Sequence, residues 1–237
     1  MMKRNLILWL LLSSLSFSPM VAQIQAFSID ASHSKVGFTA SLGGLVNVDG
    51  TFPDFKGTIL YNEQDMSTFS VSAMIDVTTI HTGEEHRDKH LQQAEFFDTE
   101  RFPSIVFKSN GIKKNGKNWL LSGVLTMKGT EKKIEFPLQK IHGLKLDPWE
   151  NPRITFTGAL ALKRSDFGIG AKDFWGNSIS DDIHIQLTIS GRIFNTDQVS
   201  VFENGAPGKL LYDLVLEKGP EAALDKIEEM KKQGLNF

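Results

Sequence analysis

The amino-acid sequence predicts a mainly β protein of about eight antiparallel strands. Two observations carry this prediction: apolar and polar residues alternate with period two through most of the chain, and turn-forming dipeptides separate the alternating segments. Such alternation is typical of strands with one buried and one exposed face. Eight strands of this kind form either a closed barrel or a sandwich, and the periodicity does not separate the two.

The alternating segments follow one another along the chain. The clearest groups are Val36, Phe38 and Ala40; Phe69, Val71, Ala73, Ile75 and Val77; Ile134, Phe136 and Leu138; Ile154, Phe156, Gly158, Leu160 and Leu162; and Ile183, Ile185, Leu187, Ile189 and Ile193. Segments near residues 51–61, 105–109 and 119–125 complete the set. Asn115-Gly116 and Lys128-Gly129 fall between strands, as hairpin loops require.

The first 26 residues have the layout of a secretory signal peptide. Lys3 and Arg4 precede a short apolar core, and small residues follow it. That core is too short to span a bilayer. We therefore expect cleavage between about Ala22 and Ala26, export from the cytoplasm, and no integral membrane segment in the mature chain. An uncleaved anchor is the alternative.

Residues 27–195 are predicted to form the barrel domain, and residues 196–237 a short helical extension. Pro220 suits the first turn of a helix, and Gly234 is placed to end it. The apolar stripe of this helix consists of Ala223, Leu224, Ile227 and Met230. The extension is expected to dock on the barrel or on a partner. A homodimer and a different protein partner both stay open.

Composition excludes several functional classes. Removing the first 26 residues leaves 24 lysines and arginines against 28 acids, which argues against a nucleic-acid partner. The absence of cysteine excludes disulfides, thiolate metal sites and a cysteine nucleophile. No Gly-x-Ser-x-Gly motif is present, so serine hydrolase chemistry has no support.

The polar segment at residues 80–98 is the strongest candidate for a chemical site. His86 and His90 are four residues apart and share a face if residues 83–94 form a helix. A third ligand for zinc or another divalent ion is available nearby from His81, Glu84 or Glu85. A metal-dependent enzyme using His86 and His90 is therefore one hypothesis.

The competing interpretation is a polar helix at the barrel rim, in which Arg87 and Asp88 make hydrogen bonds. The residue after His86 is an arginine, so the order differs from the His-Glu-x-x-His of metalloproteases. A cation at that place repels a metal ion. We therefore expect no metal site in this segment.

A set of motifs, taken together, resembles the YceI-like family. They are DASHSKVGF at residues 30–38, GTFPDFKG at 50–57, Thr82-Gly83 with RDKHL at 87–91, EFFD at 95–98, FPSIVFKS at 102–109, GVLTMKGT at 123–130 and KRSDFGI at 163–169. They cover roughly residues 27–194. The chain departs from the family at residues 41–45, where the family often has a histidine-containing segment, and in the helical tail after Phe194.

The resemblance implies a lipocalin-like antiparallel barrel, exported to the periplasm or beyond, with no catalytic residues and no cofactor other than a bound lipid. Its apolar interior would hold an isoprenoid chain, such as that of a polyprenyl phosphate or a quinone, as a carrier or storage protein. An interaction module acting through the C-terminal helices is a further alternative.

Candidate ligand-binding residues follow from the strand pattern and from the polar segment. The apolar candidates are Val36, Phe38, Phe52, Phe55, Ile75, Phe107, Leu125, Phe136, Phe156 and Phe167. The cations considered for a phosphate or a quinone oxygen are Arg87, Lys89, His90 and Arg164. The alternatives are that the phenylalanines only fill a core and that the cations are solvated rim charges.

Overall fold

The structure, a computed structural model, describes residues 24–170 and 178–193 together with eight residues near the C-terminus. Its strands are β1 Gln25–Ile29, β2 Lys35–Leu42, β3 Val46–Thr51, β4 Phe55–Tyr61, β5 Ser70–Asp76, β6 Ser104–Asn115, β7 Asn118–Met127, β8 Thr130–Leu146, β9 Pro152–Lys163 and β10 Asp182–Ile193. The helix α1 spans Glu85–Leu91, between β5 and β6.

The strands form one antiparallel sheet that closes on itself. Strand β1 pairs with β4, β4 pairs with β5, and each strand from β5 to β9 pairs with the next one in the chain. Strand β10 pairs back with β1, with Phe27 opposite Ile193, and this pairing closes the sheet. Strands β1 and β2, separated by a short turn at Ala31–His33, pair with successive parts of β10 and so share one position in the sheet. Strands β3 and β4 share the next position, because β3 pairs with β2 and β4 pairs with β1. Ten strands therefore fill eight positions, and the predicted eight-stranded barrel is confirmed.

Four connections meet at one end of the barrel, called here the upper end. They are the β2–β3 hairpin, the α1 segment between β5 and β6, the β7–β8 turn and the connection between β9 and β10. Lys128 Nζ in the β7–β8 turn donates to the carbonyl oxygens of Ala94, at 2.9 Å, and Gly168, at 3.0 Å. Three of the four connections are thereby joined by one side chain.

The opposite, lower end is closed by aromatic packing. Phe27, Tyr61 and Phe156 are almost fully buried there. The rings of Tyr61 and Phe156 meet edge to face at 5.9 Å, and those of Phe69 and Phe156 at 5.1 Å. Edge-to-face pairs of this kind add to the stability gained from burial. The lower half of the barrel is therefore a packed core.

The helix is shorter than the predicted span of residues 83–94. Gly83 has a positive φ of 83°, which a helix cannot use. The Glu84 carboxylate then accepts hydrogen bonds from the backbone N–H groups of His86, at 2.9 Å, and Arg87, at 2.6 Å, and so caps the first turn. After Leu91 the chain folds back, and the N–H of Phe97 donates to the Leu91 carbonyl oxygen at 3.0 Å.

The predicted domain limits are only partly within the described residues. Residues 1–23, which hold most of the predicted signal peptide, lie outside them. Strand β1 begins at Gln25, inside the predicted leader, and Ala26 is fully buried opposite Leu60. Of the predicted C-terminal extension, the described residues are helical: Leu214, Glu217, Lys218, Ala222, Asp225, Lys226, Glu229 and Lys232.

A charged cluster fixes the bend between β1 and β2 to strand β9. The Asp30 carboxylate accepts hydrogen bonds from Ser32 Oγ at 2.5 Å and Arg153 at 2.6 Å, and lies 2.9 Å from His33 Nδ1. Arg153 Nε also donates to Asp147 at 2.8 Å. Burial alone raises the pKa of Asp30, but the hydrogen bonds from Ser32, Arg153 and His33 outweigh it and hold that pKa far below normal.

We expect this cluster to make stability sensitive to acid. The hydrogen bond from Arg153 lowers the pKa of Asp147 to about 2, from 3.8. Because the folded-state pKa values of both acids are depressed, their stabilising effect is complete above about pH 4 and is lost as the pH falls towards 2. Arg153→Met should lower the free energy of unfolding by about 1 to 3 kcal/mol at pH 7, because Asp30 loses its arginine.

The measurement is urea denaturation of both proteins at several pH values. The difference in the free energy of unfolding between wild type and Arg153→Met should decrease steadily below about pH 4. Lys132→Met is the control, since Lys132 pairs with Asp166 at 3.5 Å on the surface and such pairs contribute little. A difference in the free energy of unfolding that stays constant from pH 7 to pH 3 would contradict the lowered pKa values of Asp30 and Asp147.

Candidate functional site: an apolar cavity inside the barrel

The barrel encloses a cavity of about 320 Å³. Strand residues that alternate in sequence point to opposite faces of the sheet, so one residue in two reaches the interior. The polar side chains on the wall are few: Ser41, Thr82, Arg87, Thr157, Lys163 and Arg164. All other lining residues are apolar or glycine, which makes this a site for a hydrocarbon group.

The inward face of β10 shows that the interior is not filled by side chains. Ile183, Ile185, Leu187 and Ile189 line the cavity and are only half-buried, although they point away from the outer surface. Apolar residues of a close-packed core would be buried on all sides. The phenylalanines of the wall differ in burial: Phe136 and Phe156 belong to the lower core and are buried, whereas Phe38 and Phe107 are half-buried.

Twelve of the fourteen predicted ligand-binding residues lie on the cavity wall. They are Val36, Phe38, Phe52, Phe55, Ile75, Arg87, Phe107, Leu125, Phe136, Phe156, Arg164 and Phe167. That each of them contacts a ligand stays a prediction. The predicted set does not include the isoleucines of β10, which also line the cavity. Their alternation with polar residues in the sequence is the signal that would have predicted them.

Lys89 and His90 do not lie on the cavity wall. Arg87 and Leu91, four residues apart on α1, face the interior, whereas Lys89 and His90 contact other residues of the α1 segment. Lys89 pairs with Glu85 at 2.5 Å on the helix surface. His90 Nε2 lies 2.7 Å from Glu95, and its ring meets the ring of Phe96 edge to face at 4.9 Å.

The histidines of the α1 segment do not converge on a metal site. His81 lies 3.3 Å from the Asp88 carboxylate, while His90 is held by Glu95. Within the described residues, no three histidine, aspartate or glutamate side chains are grouped so that they could hold a metal ion. The geometry of this part of the chain therefore gives the metal-enzyme hypothesis no ligand set.

Arg87 lies at the upper rim of the cavity in a fixed orientation. Its Nε donates to Thr82 Oγ1 at 2.7 Å, and one terminal nitrogen donates to the Thr82 carbonyl oxygen at 2.8 Å. The Asp88 carboxylate accepts from the Thr82 backbone N–H at 2.9 Å and so fixes Thr82 in turn. Among the described residues no carboxylate forms an ion pair with Arg87, so its charge can act on a polar group at the rim.

Arg164 has a structural position. It is buried, and its guanidinium donates to the carbonyl oxygens of Ser180 at 3.1 Å, Ile169 at 2.8 Å, Gly170 at 2.7 Å and Ile179 at 3.0 Å. These bonds tie together the two described ends of the β9–β10 connection. A guanidinium has five N–H groups, so this hydrogen bonding occupies most of its capacity. We assign Arg164 to holding the upper end of the barrel in place.

We predict that Arg164→Lys destabilises the protein by roughly 2 kcal/mol or more, because a lysine keeps the charge but cannot reach several carbonyl oxygens at once. Thermal unfolding followed by circular dichroism measures this. Arg101→Lys is the matched control, since Arg101 lies on the surface, where its side chain pairs with Asp98 at 3.2 Å and lies over the ring of Phe102. Equal melting temperatures for the two variants would show that Arg164 is not a structural clamp.

The fold and the cavity together define a class of protein. An antiparallel eight-stranded barrel around an apolar interior is the architecture of the lipocalin-like proteins, whose barrels hold one small ligand. A family profile described as YceI-like domain matches residues 27–191, and the chain belongs to the YceI-like family.

Several known proteins are similar to this chain. Protein YceI of Salmonella arizonae is 35% identical over 170 residues, which cover 71% of this chain and 88% of that protein. Burkholderia cenocepacia BcnA superposes with a TM-score of 0.62 at 23% identity, covering 68% of this chain and 98% of BcnA. A polyisoprenoid binding domain from Saccharophagus degradans has a TM-score of 0.55 at 18% identity and covers 71% and 99%. These two structures support the fold.

No helix in the part of the chain that the structure describes is both long enough and apolar enough to cross a bilayer.

Proposed function

We propose that this protein binds an isoprenoid chain in the barrel interior and acts as a carrier or storage protein for it. The observation that carries the proposal is the cavity itself, an apolar space of about 320 Å³ in which the inward residues of β10 are left half-buried. Membership of the YceI-like family supports it, as does the similarity of fold to a domain described as polyisoprenoid binding. A binding role accounts for these residues without any catalytic group.

The size of the cavity limits how much of a chain it encloses. A cavity of about 150 Å³ lined by apolar side chains accepts benzene, which has six carbon atoms. By proportion, this interior encloses about a dozen carbon atoms, or two to three isoprene units, and the rest of a longer chain would extend through the upper end. At about 0.8 kcal/mol for each buried methylene, the gain is about 10 kcal/mol.

That gain is offset by the cost of association, about 4 kcal/mol or more. The net affinity is then moderate, which suits a protein that must release its ligand. Arg87 supplies the polar contact at the rim, where a phosphate or a quinone oxygen would accept a hydrogen bond from its guanidinium. The chain would provide the binding energy and the head group the orientation.

We further propose that the protein is exported and that the leader is cleaved after Ala22, towards the start of the predicted range. Cleavage after Ala26 would remove Gln25 and Ala26 from β1, and Ala26 is fully buried opposite Leu60. N-terminal sequencing of the exported protein should therefore begin at Gln23. A sequence beginning at Phe27 would contradict this.

A cavity-filling variant tests the lipid-binding function. Ala73 lies on β5 and lines the cavity, so Ala73→Phe places a ring in the space that a chain would occupy. Ala161→Phe is the matched control, because Ala161 is exposed on the outer face of β9. Wild type and Ala161→Phe, purified from the native host, should release an isoprenoid on solvent extraction, at about one molecule per chain by mass spectrometry.

Ala73→Phe should release at least about tenfold less, with an unchanged far-ultraviolet circular dichroism spectrum. The expected loss follows from steric exclusion, since the added ring fills much of the cavity. A wild-type protein that releases no isoprenoid, or an Ala73→Phe variant that retains its full amount, would contradict the proposal.

A further inference from the structure

The cavity approaches the surface beside the β2–β3 hairpin. Leu42, at the end of β2, lines the cavity and is also 43% exposed. Lining residues at the lower end, such as Phe69, Leu138 and Phe156, are buried. The wall is therefore continuous with the outer surface at the hairpin and closed at the opposite end. A ligand that enters the barrel beside the hairpin would pass Leu42.

The tip of this hairpin presents further apolar side chains to the outside. Leu45 is 89% exposed and Val46 is 59% exposed, directly beside Leu42. Exposed apolar side chains that form one contiguous patch indicate an interaction site, whereas isolated ones need no explanation. No residue from 42 to 46 carries a charge. We call residues 42–46 the apolar tip.

The hairpin holds the apolar tip in a defined position. Gly43 and Gly44 have positive φ angles of 59° and 69°, and the Leu45 N–H donates to the Leu42 carbonyl oxygen at 3.0 Å. This backbone is that of a tight hairpin turn, which favours glycine at both central positions. The Gly43 N–H also donates to the Ser178 carbonyl oxygen at 2.5 Å. The tip is thus braced by the β9–β10 connection.

We propose that the apolar tip inserts into the hydrocarbon surface of a lipid membrane, so that an isoprenoid chain passes between the membrane and the cavity over Leu42. This inference rests on the proposed lipid-binding function and names the surface from which the ligand is exchanged. A membrane is the occupant that fits, because the patch is apolar, uncharged and continuous with the wall of a lipid cavity. Transfer along that path keeps the chain out of water.

The lower end does not meet these conditions, although it also has exposed apolar residues. Leu146 is 65% exposed and Trp149 is 73% exposed, but neither lines the cavity. The interior at that end is closed by the rings of Tyr61 and Phe156. Strand β10 also ends there at Ile193, from which a further 44 residues continue. Membrane contact at the lower end would give the lipid no entry.

The first test is sedimentation of the mature protein with phosphatidylcholine vesicles. The test variant is Leu45→Ser combined with Val46→Ser, and the matched control is Leu146→Ser combined with Trp149→Ser, which removes as many exposed apolar residues from the lower end. The apolar-tip variant should bind vesicles at least about tenfold more weakly, and the control should bind like wild type. Raising the salt concentration should change binding by less than about twofold, because the tip is uncharged.

The second test is the rate at which a fluorescent isoprenoid moves from these vesicles to the protein. The apolar-tip variant should take up the lipid about tenfold more slowly from vesicles, yet bind it normally when it is added from ethanol. Equal transfer rates for wild type and variant would overturn the inference. So would wild-type binding that requires anionic lipid, or a control variant that loses as much vesicle binding as the apolar-tip variant.

The proposed function and the proposed membrane contact can be refuted separately. A wild-type protein that sediments with the vesicles through its tip, but binds no isoprenoid from ethanol, refutes the proposed function and supports the membrane contact. A protein that binds isoprenoid from ethanol but never sediments with phosphatidylcholine vesicles retains the proposed function and refutes the membrane contact.

Discussion

Closure of the sheet through β1 and β10 is the constraint on which the rest of the structure depends. Where Phe27 pairs with Ile193, the two ends of the sheet are joined and their backbone groups are satisfied by each other. A barrel closed in this way draws stability from its wall, so its interior need not be filled. An open sheet with the same alternation would have to bury its apolar face against another layer.

The lower and upper ends serve different purposes within that barrel. The lower end is a packed aromatic core around Phe156, which stabilises the closed ring. The upper end is held by cations that donate to carbonyl oxygens, Lys128 to two of them and Arg164 to four. Hydrogen bonds to backbone carbonyls fix the connections in place without filling the space below them, which leaves the cavity between the two ends.

The strands and the inward positions could be predicted from the sequence because alternation is a local property. The twelve predicted residues on the cavity wall follow from it or from the motifs. Closure could not be predicted in this way, since it depends on contact between residues far apart in the chain. The roles of the cations could not be predicted, because only the structure shows that Arg164 is surrounded by carbonyl oxygens and that His90 contacts Glu95 while Arg87 lines the cavity.

The proposed function requires that apolar burial of the isoprenoid chain in the barrel interior provide the binding energy, up to the length that fits. The direct measurement is the affinity for a series of isoprenols of increasing chain length, by titration of the delipidated protein. Affinity should rise steeply with each added unit until about a dozen carbon atoms are enclosed, and then level off. An affinity that is undetectable throughout, or that does not change with chain length, would contradict the account.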